Sequence, residues 1–352
     1  MSSLSIGIVG LPNVGKSTLF NALTDAEVLA ANYPFATIEP NTGIVPVPDA
    51  RLEKLRELYK AQKVIPATVT FVDIAGLVAG ASEGEGLGNQ FLSHIRSTNA
   101  IIHVVRAFTD SDILHVDEQH DPKKDIDVIN TELVLADIQT LQKRLPRIEK
   151  EARANTKLKP IVDSYQKLLA GLNEGKLASE LDIDPEHIAD LQLITAKQVI
   201  YVFNVDEDTL ANNDKRSELS AIVSPSKSLF ICAKLESELR GLDESDREEM
   251  LESYGQKESG LVQLIHAAYN VLGLQSYLTA GEKEIRAWTI KQGYTAPQAA
   301  GVIHGDFERG FIAAQIVDYN DLISAGSEQA AKAAGKMRTE GKSYVMKPGD
   351  IV

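Results

Sequence analysis

Residues 10–17 read Gly-Leu-Pro-Asn-Val-Gly-Lys-Ser, directly after an apolar run at 4–9 and directly before a helical stretch that opens at Lys16. This is the Walker A pattern in the strand–loop–helix setting that its chemistry needs. Glycines let backbone amides turn inward around a phosphate, and a helix amino terminus adds unpaired N–H donors and the positive end of its dipole. Lys16 is expected to reach the β and γ phosphates of a nucleotide and Ser17 to ligate Mg²⁺. Asn13, Val14, Gly15 and Thr18 are expected to complete the phosphate cradle. A chain that spends eight residues this way must place them at the end of a buried strand, which points to an α/β sheet.

The rest of the sequence agrees. Short β-branched runs recur at 68–72, 101–105, 199–203 and 229–231, and helical stretches at 16–23 and 88–97 lie between several of them. Buried parallel strands alternating with helices make a doubly wound sheet. Between the runs at 101–105 and 199–203, residues 125–196 are too long for a simple crossover. Ile126, Ile129, Leu133, Leu135, Ile138, Leu141, Leu145 and Ile148 follow helical spacing there, so a protruding helical hairpin with a break near 154–159 is expected. Residues 261–272 read as the last helix of the α/β part. After it, runs at 285–290, 310–316 and 343–346, with a helix around 297–303, suggest a small β-grasp-like module. The expected division is therefore 1–124 with 197–275, a helical insert at 125–196, and a carboxy-terminal module at 276–352.

Further site residues follow from position. Asp73 ends the run at 68–72, where a Walker B aspartate would hold a magnesium-bound water in the second shell. Gly76 would place its amide against the γ-phosphate, which groups it with Lys16 among the catalytic positions, and Gly80, Gly84, Gly86 and Gly88 can rearrange when that phosphate leaves. Thr37, between the P-loop helix and Asp73, either completes the magnesium shell or is an ordinary loop threonine. Leu77 stands where familiar small GTPases carry a water-orienting glutamine, and it offers no polar group. For the base, Asn204-Val205-Asp206-Glu207 occupies the place of the guanine-reading Asn-Lys-x-Asp. Glu207 is one methylene longer and Val205 replaces the lysine, so the short bidentate acceptor is lost while Asn204 can still pair with adenine. Cys232 and Ala233, followed by Lys234, match the last base-contacting loop.

The 352 residues carry 36 Lys and Arg against 50 Asp and Glu, a net charge of −14. This argues against a whole-molecule grip on nucleic acid and against sequence-specific DNA binding. Residues 276–352 hold nine of each sign, so all the acidity lies in the first 275, and within that acidic part 141–180 hold nine basic residues against five acidic ones. That island is either a partner-facing surface or a solvated helix face. One cysteine, Cys232, excludes a disulfide framework and fits a reducing cytoplasm. The amino terminus has no basic leader and no run of about 18 apolar residues occurs, so neither secretion nor a membrane span is expected.

Taken together, residues 10–17, 32–40, 73–76, 84–91 and 204–207, with Arg286-Ala287-Trp288-Thr289 and the run 296–301, closely resemble the YchF subfamily of the Obg-related P-loop NTPases over the whole length. The resemblance implies a G domain, a coiled-coil insert and a carboxy-terminal TGS domain. It implies hydrolysis of ATP in preference to GTP, association with ribosomes, and a damping role in oxidative stress; the placement of the basic island, not the resemblance, adds the expectation that the insert, helped by the TGS domain, meets ribosomal RNA. It also implies a hydrolytic histidine in the loop after the third strand, here His115 in Asp112-Ile113-Leu114-His115-Val116, the alternative being a histidine that merely packs. Asn13 matches the asparagine that potassium-activated relatives use as an ion ligand, or it is a plain phosphate-loop residue. Family members continue beyond Pro348-Gly349-Asp350-Ile351-Val352 with an aromatic-rich strand, so a missing or short last strand is expected here. Two rival functions stay open: a GTP-dependent ribosome-assembly factor, and a regulatory module in which turnover is incidental.

Overall fold

A computed structural model describes residues 4–24, 41–74, 87–108, 121–239 and 241–352. Thr37, Gly76, Leu77 and His115 lie outside the described residues. By compactness the chain divides into two units, Met1–Gly43 with Thr70–Leu264, and Ile44–Val69 with Ile265–Val352. Its strands are β1 (Ser5–Val9), β2 (Thr42–Pro46), β3 (Val64–Ile65), β4 (Thr68–Asp73), β5 (Ala100–Ala107) and β6 (Val199–Val205), then β7 (Lys227–Ile231), β8 (Leu274–Thr279), β9 (Ile285–Lys291), β10 (Ala314–Asp318), β11 (Arg338–Glu340) and β12 (Asp350–Ile351).

The first sheet has the order β2-β4-β1-β5-β6-β7. β1 pairs in parallel with both β4 and β5, β5 with β6, and β6 with β7. β5 is buried from Ala100 through Arg106, which is why its sequence is largely apolar, with His103 and Arg106 as its polar members, and does not alternate. The order reverses direction at β1, and in such sheets the crevice beyond the carboxyl ends of the strands is where ligands settle. Helix α1 (Lys16–Thr24) leaves β1 directly, α2 (Ala50–Tyr59) follows β2, and α3 (Leu87–Ser97) follows β4.

Residues 122–173 form the helical pair that the spacing predicts. Helix α4 (Pro122–Ala154) opens with Pro122 at its first position, and the Asp121 carboxylate accepts from the amides of Lys123 at 3.0 Å and Lys124 at 3.3 Å. Both devices satisfy or remove the unpaired donors of a first turn. The break falls where expected: Asn155 ends α4, a single 3₁₀ turn covers Thr156–Leu158, and α5 (Lys159–Asn173) returns. Leu141 and Ile148 of α4 bury against Tyr165, Leu168 and Leu172 of α5, joined by Leu191 and Leu193.

In the second unit the sheet order is β11-β10-β12-β8-β9-β3, with β8 and β9 antiparallel and β12 parallel to β8. The helix Ala296–Ile303 covers it, with Tyr277, Ile290, Ala296, Ala299, Phe311, Ile316 and Met346 forming the core. Two local expectations are corrected. Residues 343–346 form no strand: Val345 makes a single bridge to Thr295, while Tyr344 turns its hydroxyl to Asp350 at 3.0 Å. The run at 310–316 becomes a strand only from Ala314, because Gly310 closes the helix Gly305–Arg309. β8 opens at Leu274. The two residues of β12 lie inside the sheet between β10 and β8.

Candidate nucleotide-binding site

Every described site residue but Asn41 and Tyr254 comes from the carboxyl end of a parallel strand of the first sheet or from the turn or first helical turn that follows it. β1 supplies the loop 10–17, β4 ends in Asp73, β5 in the chain entering Phe108, β6 in Asn204 and Val205, and β7 in the chain entering Cys232 and Ala233. The loop's tightness is set by its glycines. A Cβ on Gly10 would stand 2.8 Å from the Val104 carbonyl oxygen, and Gly15 has φ +91°, with its would-be Cβ overlapping the Asn204 amide nitrogen. Asn13 also adopts a left-handed backbone, φ 63°. Such conformations turn successive N–H groups toward one point, the geometry of an anion-binding concavity.

A cavity of about 720 Å³ opens above the loop, lined by Leu11, Pro12, Asn13, Gly15, Lys16, Ser17, Thr18, Asn41, Asp73, Phe108, Asn204 and Ala233. Lys16 is 9% exposed, and its ammonium is ion-paired with the Asp73 carboxylate. A cation and a carboxylate are thus held at the mouth of a helix amino terminus beside the Ser17 and Thr18 hydroxyls. Asp73 is fixed from the backbone side as well, its amide donating to the Asn41 carbonyl at 2.8 Å. Among the described residues no group of three or more His, Cys, Asp or Glu side chains could by itself enclose a metal. A divalent ion here would draw on the Ser17 hydroxyl and on oxygens brought by the ligand and water, with the Asp73 carboxylate placed to hold one of those waters, the usual manner of Mg²⁺ in phosphate sites.

A second cavity of about 420 Å³ adjoins the first, sharing Phe108, Asn204 and Ala233 and adding Val205, Asp206, Glu207, Asp208, Cys232 and Lys234. Asn204 ties the two together. It is 8% exposed, and its Nδ2 donates to the Val14 carbonyl at 3.1 Å, which locks the end of β6 to the phosphate loop and leaves Oδ1 and one amide hydrogen for a base. Val14 itself is buried, so only its backbone serves the site. Asp206 caps the short helix Glu207–Ala211, accepting from the Thr209 amide at 2.8 Å. Glu207 accepts from the Lys234 ammonium at 2.8 Å and from the Tyr254 hydroxyl at 3.2 Å, and these two bonds hold its carboxyl below the usual range. Burial pushes the Cys232 thiol up, so it is a packing group in this wall and no nucleophile.

The structure therefore brings together Asn13, Gly15, Lys16, Ser17, Thr18, Asp73, Asn204 and Ala233 on one cavity, with Glu207 and Cys232 on its neighbour. Phe108, Asn41 and Tyr254 were not foreseen. Phe108 lines both cavities and carries the Arg106 guanidinium 4.5 Å from its ring centre. A lone phenylalanine after an apolar strand has no sequence signature. Only the strand-end rule of α/β sheets could have drawn attention to it.

Comparison with known proteins fits this arrangement. Residues 5–137 match the family described as 50S ribosome-binding GTPase, and residues 274–352 match YchF-GTPase_C, described as a protein of unknown function. The ribosome-binding ATPase YchF of Escherichia coli O157:H7 is 50% identical over 352 residues, covering 98% of this chain and 97% of the relative. The chain belongs to the YchF family. The Bacillus subtilis YchF is 49% identical over 361 residues, covering 99% of this chain and 98% of its own. The solved structure of the Schizosaccharomyces pombe YchF GTPase superposes with a TM-score of 0.88 at 41% identity, over 99% of this chain and 97% of that one. A mixed α/β protein with a P-loop domain and a YchF carboxy-terminal domain is thus common to sequence, structure and relatives.

Proposed function

We propose that this protein is a Mg²⁺-dependent ATPase whose nucleotide state governs its association with the ribosome. One observation carries the reading of the site: a P-loop whose Lys16 meets Asp73 opens into a second cavity walled by Asn204, Glu207 and Cys232. Phosphates fit the first space and a base the second. The names of relatives at about half identity over nearly the whole chain support ATP hydrolysis and ribosome binding.

In this proposal Lys16 and the amides of the loop hold the phosphates, and Ser17, with Thr37, ligates the metal. Asp73 binds one of its waters. Bound Mg²⁺ neutralises charge that develops on the phosphates. Gly76 offers an amide to the γ-phosphate, and His115 positions or deprotonates water where Leu77 has no polar group. Asn13 takes a potassium ion. The three-part division stands as part of the proposal: a G domain at 1–124 and 197–275, a coiled-coil insert at 125–196 and a TGS domain at 276–352. The insert and the TGS domain carry the ribosomal contact, with ribosomal RNA of the large subunit as the surface met. Among the described residues no helix is long and apolar enough to cross a membrane, and we place the protein in the cytoplasm.

The test is equilibrium binding of ATP and GTP analogues with Mg²⁺, with and without potassium, followed by turnover with and without ribosomes. ATP should bind at least as tightly as GTP. A tenfold preference for GTP, about 1.4 kcal/mol, would overturn the assignment in favour of a GTP-dependent assembly factor.

A further inference from the structure

Glu207 stands where a guanine site would keep its base-reading carboxylate, yet both its oxygens are already engaged. Oε1 accepts from the Lys234 ammonium at 2.8 Å and Oε2 from the Tyr254 hydroxyl at 3.2 Å. Lys234 leaves the end of β7 and lines the base cavity beside Glu207. Tyr254 comes from 47 residues downstream, just after the helix Glu244–Ser253, and is not among the residues that line the cavity. Val205, in the place of the usual lysine, is 2% exposed in the core with Cys232 and Leu235.

We propose that Lys234 and Tyr254 are positioning residues that set the preference for adenine over guanine by holding Glu207 out of base recognition. The inference rests on the nucleotide-binding reading above. Guanine presents two adjacent donors, the ring N1–H and the 2-amino group, and discriminates in favour of sites with a free carboxylate. Adenine presents a lone pair at N1, which a free carboxylate repels. A carboxylate bonded at one oxygen to an ammonium and at the other to a phenol has its charge partly offset and about half of its acceptor sites taken. The same residue that would read guanine is thereby committed to other partners, and the adenine-pairing task falls to Asn204. Reach alone, one methylene too long, does not explain the preference in this account. The engagement of the two oxygens does.

The experiment is a set of variants read by the ratio of KM for GTP to KM for ATP, with kcat measured alongside. The Glu207–Lys234 pair is solvent-accessible, with side chains 32% and 72% exposed. Single losses should therefore be modest: Lys234→Met and Tyr254→Phe should each move the ratio toward GTP by about two- to fivefold, and the double variant by about tenfold. Lys234→Arg, which keeps the charge, should restore most of the wild-type ratio. In a Glu207→Gln background, where no carboxylate is left to release, the same two substitutions should leave the ratio within about twofold. A merely structural role would scale both nucleotides alike and leave the ratio still. Wild type that favours ATP, with a ratio unmoved by the double variant, overturns this inference alone. Wild type that favours GTP overturns the ATPase reading and the inference with it.

Discussion

His103 lies in the middle of β5, 2% exposed, with its ring 5.2 Å from that of Tyr201 on the neighbouring strand. Burial alone drives its pKa from 6.5 to about 3. The sign follows from linkage: a group that binds its proton less well folded than unfolded favours the fold above its unfolded pKa, and that advantage is lost as the pH falls. Above about pH 7 the imidazole is neutral in both states and costs nothing. At pH 5 the unfolded chain gains a proton that the fold refuses, which destabilises the protein by about 2 kcal/mol. At pH 4 the loss reaches about 3.4 kcal/mol, each pH unit below 6.5 adding about 1.36. Carboxylates titrate in the same window, so the measurement is a difference. Urea unfolding of wild type and His103→Phe at pH 8 and pH 5 should show the variant losing about 2 kcal/mol less than wild type over that interval. Tryptophan fluorescence is the wrong probe, because the single tryptophan, Trp288, belongs to the second compact unit while β5 belongs to the first. Hydrogen exchange of the β5 amides reports the right unit. Equal losses in the two proteins would refute a neutral imidazole buried in β5.

Other outcomes are as specific. Gly15→Ala places a Cβ at φ +91° against the Asn204 amide, so ATP affinity measured by calorimetry should fall at least about tenfold, and an unchanged affinity would exclude the loop geometry described. Asp137 is fully buried and accepts from the amides of Ile194 at 3.0 Å and Thr195 at 2.8 Å, so Asp137→Ala should cost about 3 kcal/mol of stability in thermal unfolding, with Asp137→Asn milder. His115→Ala should slow single-turnover hydrolysis about 10²-fold with nucleotide affinity retained, and an unchanged rate would return His115 to a packing role. Reversing Lys143, Arg147 and Lys150 to glutamate should weaken co-sedimentation with ribosomes and flatten its salt dependence, and wild-type pelleting across all salt concentrations would move the search to the carboxy-terminal unit.

What could be read in advance was what is local. The loop 10–17 announces its strand and helix because each residue type in it answers a need within the same eight positions. The break between α4 and α5 was legible for the same reason, since Asn155 both ends one helix and caps the next turn. Pairings between distant segments left no such trace. Val64 and Ile65 form a strand only because Ile285 and Arg286 lie beside them, and nothing in residues 44–69 announces that they belong with the carboxy-terminal unit. Tyr344-Val345-Met346 has the composition of a strand, but Asp350 claims the tyrosine hydroxyl and the ladder goes to the two residues of β12 instead. At the site, the motif 204–207 was visible, whereas the engagement of Glu207 by Lys234 and Tyr254 depends on side chains 27 and 47 residues away.

The basic surface shows why charge counted along the chain has to be re-sorted in space. Arg96, Lys143, Arg144 and Arg147 line one cavity of about 390 Å³ with no carboxylate among its walls. Two of these four are occupied by the fold itself. Arg96 donates to the Thr140 hydroxyl at 2.9 Å and fastens α3 to α4, and Lys197 donates to the carbonyls of Ile95 at 2.7 Å and Arg96 at 2.8 Å at the end of the same helix. Arg144 pairs with Asp190 at 3.1 Å, a carboxylate that also accepts from the Tyr165 hydroxyl at 2.7 Å, so it secures the helical pair to the segment that returns to β6. Lys143 and Arg147 stand exposed, as does Lys150. Replacing Arg144 would loosen the arm and lower any binding indirectly, whereas replacing the three exposed cations changes only the field that a polyanion meets. That separation is what makes the charge-reversal measurement a test of contact and not of folding.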